Sequence, residues 1–364
     1  MIKVVHIIPN LSTGGAERFV VDLINEGVCN DWDCELILFE KNNNFFINEL
    51  NKKVKIHFLE KKRGFDLGLF YKLFLLIKKI DPNIVQSHLS AFNYMGMALI
   101  FCSCKFFHTI HSLPSKEYKS TLGKYLRLIF FKFLNKCTPI SISPKVDKEA
   151  RGLYGQSVKM IFNGRSAPES TLESIKLAKY FDNLRSQGYK IFLNIGSLKE
   201  AKNHFNLINA VKELNTLKHN KIKLIILGGE KGSIEYNQLY SLVDNNIDLL
   251  GSVNNPQDYL AQTDFFILPS LWEGMPISLI ESFALGKVSL GTNVGGISYM
   301  IKNGVNGYLI NGTSVMDIKA AIEKALILDP DTLKVISVNA RNEYDQKYSI
   351  NICYNAHNKI YQDV

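Results

Sequence analysis

Residues 265–281 read FFILPSLWEGMPISLIE. Phe265–Leu268 is an apolar run too short for a helix and is stopped by Pro269-Ser270, which predicts a buried strand. A loop with one carboxylate, Glu273, follows; Gly274 and Pro276 then open a helix, Ile277–Leu285, that carries a second carboxylate at Glu281. The start of such a helix leaves free N–H groups and about half a positive charge facing the loop. In an open α/β sheet, ligands sit outside the carboxyl ends of the strands, where this loop lies. Without that setting, two glutamates eight residues apart are solvated surface groups. Strand, glycine, proline and helix in this order make the stretch a ligand loop suited to a phosphate or to sugar hydroxyls.

The same alternation extends in both directions. Upstream, strands are expected at Lys3–Pro9, Cys34–Phe39, Lys55–Leu59, Ile84–Ser87, Phe106–His111 and Pro139–Ser143. Helices are expected after Ser12-Thr13-Gly14-Gly15, with Phe19, Val20, Leu23 and Ile24 at core spacing, and at Leu67–Ile80. A second series runs through strands Ile191–Ile195, Lys223–Leu227, Ile247–Leu250 and Val288–Gly291 and helices Phe205–Asn215, Tyr236–Val243 and Val315–Leu328. The chain of 364 residues therefore reads as α/β, two doubly wound halves with mostly parallel sheets. A polar stretch near Ser166–Ser174 is the expected linker. It separates residues 1–165 from residues 166–345, and residues 346–364 form a last helix free to pack back on the first domain.

A hydrophobic content of 46% with 21% charged residues supplies material for two cores and excludes disorder. Six cysteines show neither CxxC pairs nor ligand spacing with histidine, and the N-terminus has too short an apolar run for a signal sequence. Both point to a reduced, cytosolic setting, and no stretch reaches the ~20 apolar residues of a membrane span. The net charge of +9 is uneven: residues 1–180 hold 26 Lys and Arg against 16 Asp and Glu, whereas residues 181–364 hold 17 against 18. Residues 50–136 alone hold 16 against 4.

Two further segments belong with the first. Asn194-Ile195-Gly196-Ser197-Leu198-Lys199-Glu200-Ala201-Lys202-Asn203-His204 leaves the second half's first strand through a glycine, and Lys202 near the next helix can neutralise a diphosphate. Ser12-Thr13-Gly14-Gly15-Ala16-Glu17-Arg18 lets backbone approach a ligand above the first sheet. Neither this segment nor Gly228-Gly229-Glu230-Lys231-Gly232 has G-x-G-x-x-G spacing, so a nicotinamide reading lacks its main support.

Together the GGAER entry, the GxLxxxKN turn and the EGxPxxxxE block resemble the retaining GT-B glycosyltransferases of family four, over nearly the whole chain. The resemblance implies two Rossmann-like domains facing each other across a cleft, with a nucleotide-sugar donor held mainly by the C-terminal one. Carried over, Glu281 binds the ribose hydroxyls. Glu273 and the backbone of Gly274, Met275, Pro276, Ile277 and Ser278 hold the donor sugar and a phosphate. Lys202 balances the diphosphate and Gly15 approaches it from the N-terminal side. Where the family often has arginine, this chain has Ser197. Thr109-Ile110-His111-Ser112-Leu113-Pro114 is similar to the stretch whose histidine lies beside the sugar, so the resemblance makes His111 and Glu273 the catalytic candidates. His88, at another strand end, is read as structural.

No cluster has metal-ligand spacing, and Asp31-Trp32-Asp33 reads as a loop, so neither a metal nor another cofactor is expected. The implied reaction moves a hexose or N-acetylhexosamine, from UDP first and GDP second, to a lipid-linked glycan in capsule or O-antigen assembly. Leu122, Tyr125, Leu126, Ile129, Phe130 and Phe133 read as a core stripe. Leu128 and Phe131, among Lys124, Arg127 and Lys132, read as an outward face for an anionic membrane surface, within residues 65–136. That places the protein peripherally on the inner face of the plasma membrane. A UDP-sugar epimerase of the same fold is the rival reading and needs no membrane face. A nucleic-acid module is the other, and the basic region lacks its motifs.

Overall fold

The computed structural model describes residues 1–117, 121–217 and 220–363. The chain divides into two compact units, Met1–Arg165 with the segment from Ile350 onward, and Ser166–Ser349.

In the first unit, strands β1 (Ile2–Ile8), β2 (Trp32–Leu38), β3 (Lys55–Phe58), β4 (Ile84–His88), β5 (Lys105–Ile110), β6 (Thr138–Ser141) and β7 (Lys159–Met160) form one parallel sheet. Its order is β3-β2-β1-β4-β5-β6-β7. The helix Gly15–Cys29 buries Phe19, Val20, Leu23 and Ile24, as its 3.6-residue spacing requires. The helix Ile350–Gln362 packs beside it on this sheet: Trp32 lies against Tyr354 and Tyr361, and its indole N–H donates to Asn358 Oδ1 at 2.9 Å.

In the second unit, β8 (Lys190–Ile195), β9 (Ile222–Leu227), β10 (Ile247–Gly251), β11 (Phe265–Leu268), β12 (Val288–Thr292) and β13 (Tyr308–Ile310) pair in parallel in the order β10-β9-β8-β11-β12-β13. Phe192, Leu224, Ile226, Ile267 and Leu290 fill its core between helices. Both sheets reverse direction of winding once, between β1 and β4 and between β8 and β11. Those two points are where this architecture opens a crevice at the strand carboxyl ends.

Several expectations change. Asp31-Trp32-Asp33 is no free loop, because Trp32 starts β2 and is buried. The single terminal helix is two, Pro330–Lys347 and Ile350–Gln362, the first capped by Asp329 with Pro330 at its first position. β13, flanked by Gly307 and Gly312, has three residues and is too short to show a period.

The outward face around residue 128 is overturned. Phe131 is 1% exposed, against Phe92 and Tyr154, and Leu128 is only partly exposed. Tyr125, Ile129 and Phe133, expected inside, are exposed; Leu122 lies outside the described side chains. Two causes act together. Arg127 is buried, donating to Asn93 Oδ1 at 3.2 Å and Gly123 O at 3.3 Å over the Phe92 ring, and this draws its face inward. From Leu128 to Phe133 the helix widens, with Leu134 N–H bonding Ile129 O, so a 3.6-residue stripe no longer tracks one face.

Candidate donor-sugar site

In the second unit, four loops meet at the carboxyl edge around the β8–β11 reversal. Gly196 leaves β8 with the stem of Lys202 lying against it; a Cβ there would sit 3.2 Å from Lys202 Cδ. Asn203 takes a left-handed conformation (φ 57°), which its short polar side chain tolerates, and donates to Pro269 O at 3.1 Å and Thr313 O at 2.8 Å. Leu271 N–H donates to Ala201 O at 2.8 Å. The Lys202 turn is thereby fastened to the Glu273 loop.

Lys202 Nζ donates to Glu273 Oε1 at 2.5 Å, and Ser270 Oγ donates to the same oxygen at 2.8 Å. Both charged side chains are mostly buried, at 17% and 12% exposure. A cation and a carboxylate thus stand together at the strand ends, one able to face a diphosphate and the other a hydroxyl. Beside them the helix Ile277–Ala284 begins. Pro276, expected inside its first turn, precedes it in an extended conformation (ψ 123°). The amides of Ile277 and Ser278 therefore have no acceptor within the helix. Met275 and Ile277 are buried, and Glu281 stands one turn on, partly exposed.

The structure adds two glycine pairs to this site that the sequence motifs do not mark. A Cβ on Gly295 would meet Glu273 O at 1.9 Å, and one on Gly296 would meet Gly274 O at 2.1 Å. A Cβ on Gly228 would meet Gly196 O at 2.1 Å. Adjacent glycines in a strand's exit were the available signal, directly after β9 for Gly228-Gly229 and, with two residues between, after β12 for Gly295-Gly296. The spacing of Gly228-Gly229 fails as a dinucleotide motif, yet the pair lets β9's exit pass under that of β8. A cavity of about 220 Å³ lined by Asn293, Val294, Asn311, Gly312 and Thr313 adjoins these loops.

In the first unit, Gly15 opens its helix and Gly14 precedes it, with the Glu17 carboxylate folded back to accept from Ser12 Oγ at 3.2 Å. His111 follows β5, and its Nε2 lies 3.0 Å from His88 Nδ1. Burial holds the His111 imidazole down to about 4, against the pull of the Glu117 carboxylate, so the ring is neutral near pH 7. His88, also pushed well down by burial and then by His111, is neutral as well.

Comparison with known proteins bears on the family and the fold. The family description "Glycosyl transferases group 1" matches residues 177–343, and "Glycosyltransferase Family 4" matches residues 13–166. Among curated relatives, the Escherichia coli UDP-Gal:alpha-D-GlcNAc-diphosphoundecaprenol alpha-1,3-galactosyltransferase is 28% identical over 78% of this chain and 76% of its own. A Campylobacter jejuni alpha-1,4-N-acetyl-D-galactosaminyltransferase, named for a diNAcBac-PP-undecaprenol-linked acceptor, is 25% identical over 96% of this chain and 95% of its own. Among solved structures, Anabaena HepE with UDP-glucose superposes with a TM-score of 0.84 at 17% identity, over 100% of both chains. At that identity the superposition speaks for the fold alone. With the two family descriptions together matching residues 13–166 and 177–343 of one chain, the protein belongs to the group 1 glycosyltransferases and is an enzyme of the GT-B class.

Proposed function

We propose that the protein is a retaining glycosyltransferase that moves a hexose or N-acetylhexosamine from UDP to a lipid-linked glycan in cell-surface polysaccharide assembly. The Lys202–Glu273 pair at the mouth of an open helix end carries this reading. Lys202 exchanges Glu273 for the donor diphosphate, and the amides of Ile277 and Ser278 add donors that need no reorganisation as charge develops. Glu273, released, accepts from a sugar hydroxyl. The bond from the anomeric carbon to the diphosphate oxygen breaks, and the acceptor oxygen bonds that carbon on the same face. The acceptor's proton passes to the departing phosphate, so no separate base is called for. Glu281 holds the ribose, Gly15 approaches the diphosphate and His111 donates to the sugar. The chain's own cation and helix end supply the charge that a metal would otherwise bring. The relatives named above, with undecaprenol-linked acceptors and alpha products, support the acceptor class.

The acceptor's lipid also suits a second feature of the first unit. Tyr125, Ile129, Phe133 and Leu134 are exposed beside Lys132 and Lys136. Leu67, Tyr71 and Leu75 are exposed along one stripe of the helix Leu67–Ile80, beside Lys72, Lys78 and Lys79. Apolar groups ringed by cations fit an anionic leaflet. No helix among the described residues is long and apolar enough to cross a membrane, so attachment is peripheral in this reading.

A donor panel tests the function. UDP- and GDP-sugars are each mixed with an undecaprenyl-diphosphate N-acetylhexosamine, with and without a chelator. Release of UDP only when acceptor is present, with an unchanged anomeric configuration by NMR, is expected. A UDP-sugar epimerised without acceptor would overturn the transferase, and loss of activity on chelation would overturn the metal-free step. Glu281→Ala should weaken UDP about tenfold, the worth of a lost hydrogen bond to a charged group; unchanged affinity would remove its ribose role.

A further inference from the structure

His6 on β1, His88 at the end of β4 and His111 just beyond β5 stand on three adjacent strands. The register pairs His6 with Gln86 and His88 with Thr109. Each histidine is therefore two residues further along its strand than the last one's partner, and a step of two keeps all three on one sheet face. Their rings form a chain: His6 Nδ1 lies 3.1 Å from His88 Nε2, and His88 Nδ1 lies 3.0 Å from His111 Nε2. His6 and His88 are fully buried, and Phe19 packs against the His88 and His111 rings.

Three neutral imidazoles joined this way carry one proton each, and the hydrogen bonds must all run in one direction. If they run from His111 towards His6, the chain ends in an N–H at His6 Nε2. That atom is buried and has no partner among the described residues. If they run from His6 towards His111, the buried end is a bare lone pair, and an orphaned acceptor is better tolerated than an orphaned N–H. The second direction places the proton of every ring on Nδ1. Neighbouring groups do not compete for these protons: His357 commits its own Nδ1 to Cys353 O at 2.9 Å, and Gln86 is taken by Thr109, His357 and Tyr361.

We propose that His6 and His88 are positioning residues that hold His111 in the Nδ1–H tautomer, so that it presents a hydrogen-bond donor, and no base, at the carboxyl edge of the sheet. Its Nδ1 has no protein partner among the described residues and is free to donate to a sugar oxygen. This rests on the reading of His111 as the sugar-facing residue, and it adds the reason that residue cannot take the acceptor's proton.

The full chain labelled with ¹⁵N-histidine tests it, the His111 signal being assigned by its loss in His111→Gln. Wild type should show His111 protonated on Nδ1, the minor tautomer of free histidine. His88→Asn, whose amide N–H replaces the Nδ1 donor, should keep that signature and stay within about twofold of wild-type kcat. His88→Leu, which takes away the donor to His111 Nε2, should weaken the preference so that Nε2–H appears beside Nδ1–H, and should lower kcat about tenfold with little change in the donor KM, as expected for one hydrogen bond made in the transition state. An Nε2–H signal in the wild type overturns the proposal without recourse to any variant; so does a His88→Leu protein that matches wild type in both tautomer and kcat. A correct tautomer whose signal ignores saturating UDP-glucose, UDP-galactose and UDP-N-acetylglucosamine overturns only the sugar-facing reading.

Discussion

Gly295→Ala tests whether the donor loops owe their shape to backbone packed on backbone. Gly295 has φ +52°, and its added methyl would sit 1.9 Å from Glu273 O, 2.9 Å from its carbon and 3.2 Å from its nitrogen. Ordinary contact begins near 3.4 Å, so the two loops must part by roughly 1–1.5 Å, and the obstacle is main chain that cannot rotate away. Left-handed backbone adds about 1 kcal/mol for alanine, and an overlap of this kind adds about 1–3 kcal/mol. Gly304→Ala supplies the control: it has φ +76° and nothing within 4 Å, so it carries the backbone cost alone. A lower melting temperature is expected for both, with the larger drop at Gly295. UDP affinity by calorimetry should be unchanged for Gly304→Ala. For Gly295→Ala it should fall about 10²-fold, because a shift of about 1 Å misplaces Glu273 and the helix end it precedes. If the two variants melt and bind alike, the contact between these loops is not what shapes the site.

Lys202→Met should lower turnover about 10²-fold, the usual worth of one preorganised charge at a leaving group, with a smaller loss of UDP affinity; a loss under about threefold would move diphosphate stabilisation elsewhere. Ile129→Asp with Phe133→Asp should reduce sedimentation with anionic vesicles while leaving UDP affinity intact, and vesicle binding at wild-type strength would end the membrane reading. Phe131→Asp, by contrast, buries a carboxylate against Phe92 and Tyr154 and should unfold the first unit. Burial holds His6 down to about 3 and His111, His204 and His357 to about 4. The unfolded chain, with histidines near 6.5, binds more protons below that pH, so stability is full above about pH 6.5 and falls as pH drops towards 4. The loss approaches about 1.4 kcal/mol per pH unit for each histidine. Melting temperature should therefore decline between about pH 7 and 5, before most carboxylates titrate; a flat profile would contradict neutral burial.

Some of the fold was legible because it rests on local patterns. The apolar runs Lys3–Pro9 and Phe265–Leu268, the glycine exits after them and the proline before Ile277 predict parallel βα units from neighbouring residues alone. Lys202 and Glu273, far apart in the chain, were each singled out by their place after a strand. That they pair with each other was not legible, because the pairing depends on β8 lying next to β11. The glycines at 228, 295 and 296 were missed for the same reason, since each is needed only because another loop's carbonyl passes beside it.

By itself the sequence determined the class of the protein: alternating strands and helices in two series, ligand loops at the strand ends, and a basic first half. Those properties follow from residue type and spacing, which act within a few positions of the chain. Tertiary structure decided which loops meet, which face of residues 121–133 is wet, and how the histidines are linked. A buried arginine and a widened helical turn reversed that face, and a diagonal across three strands joined His6, His88 and His111. Each of these depends on contacts between residues distant in sequence, where local periodicity carries no information.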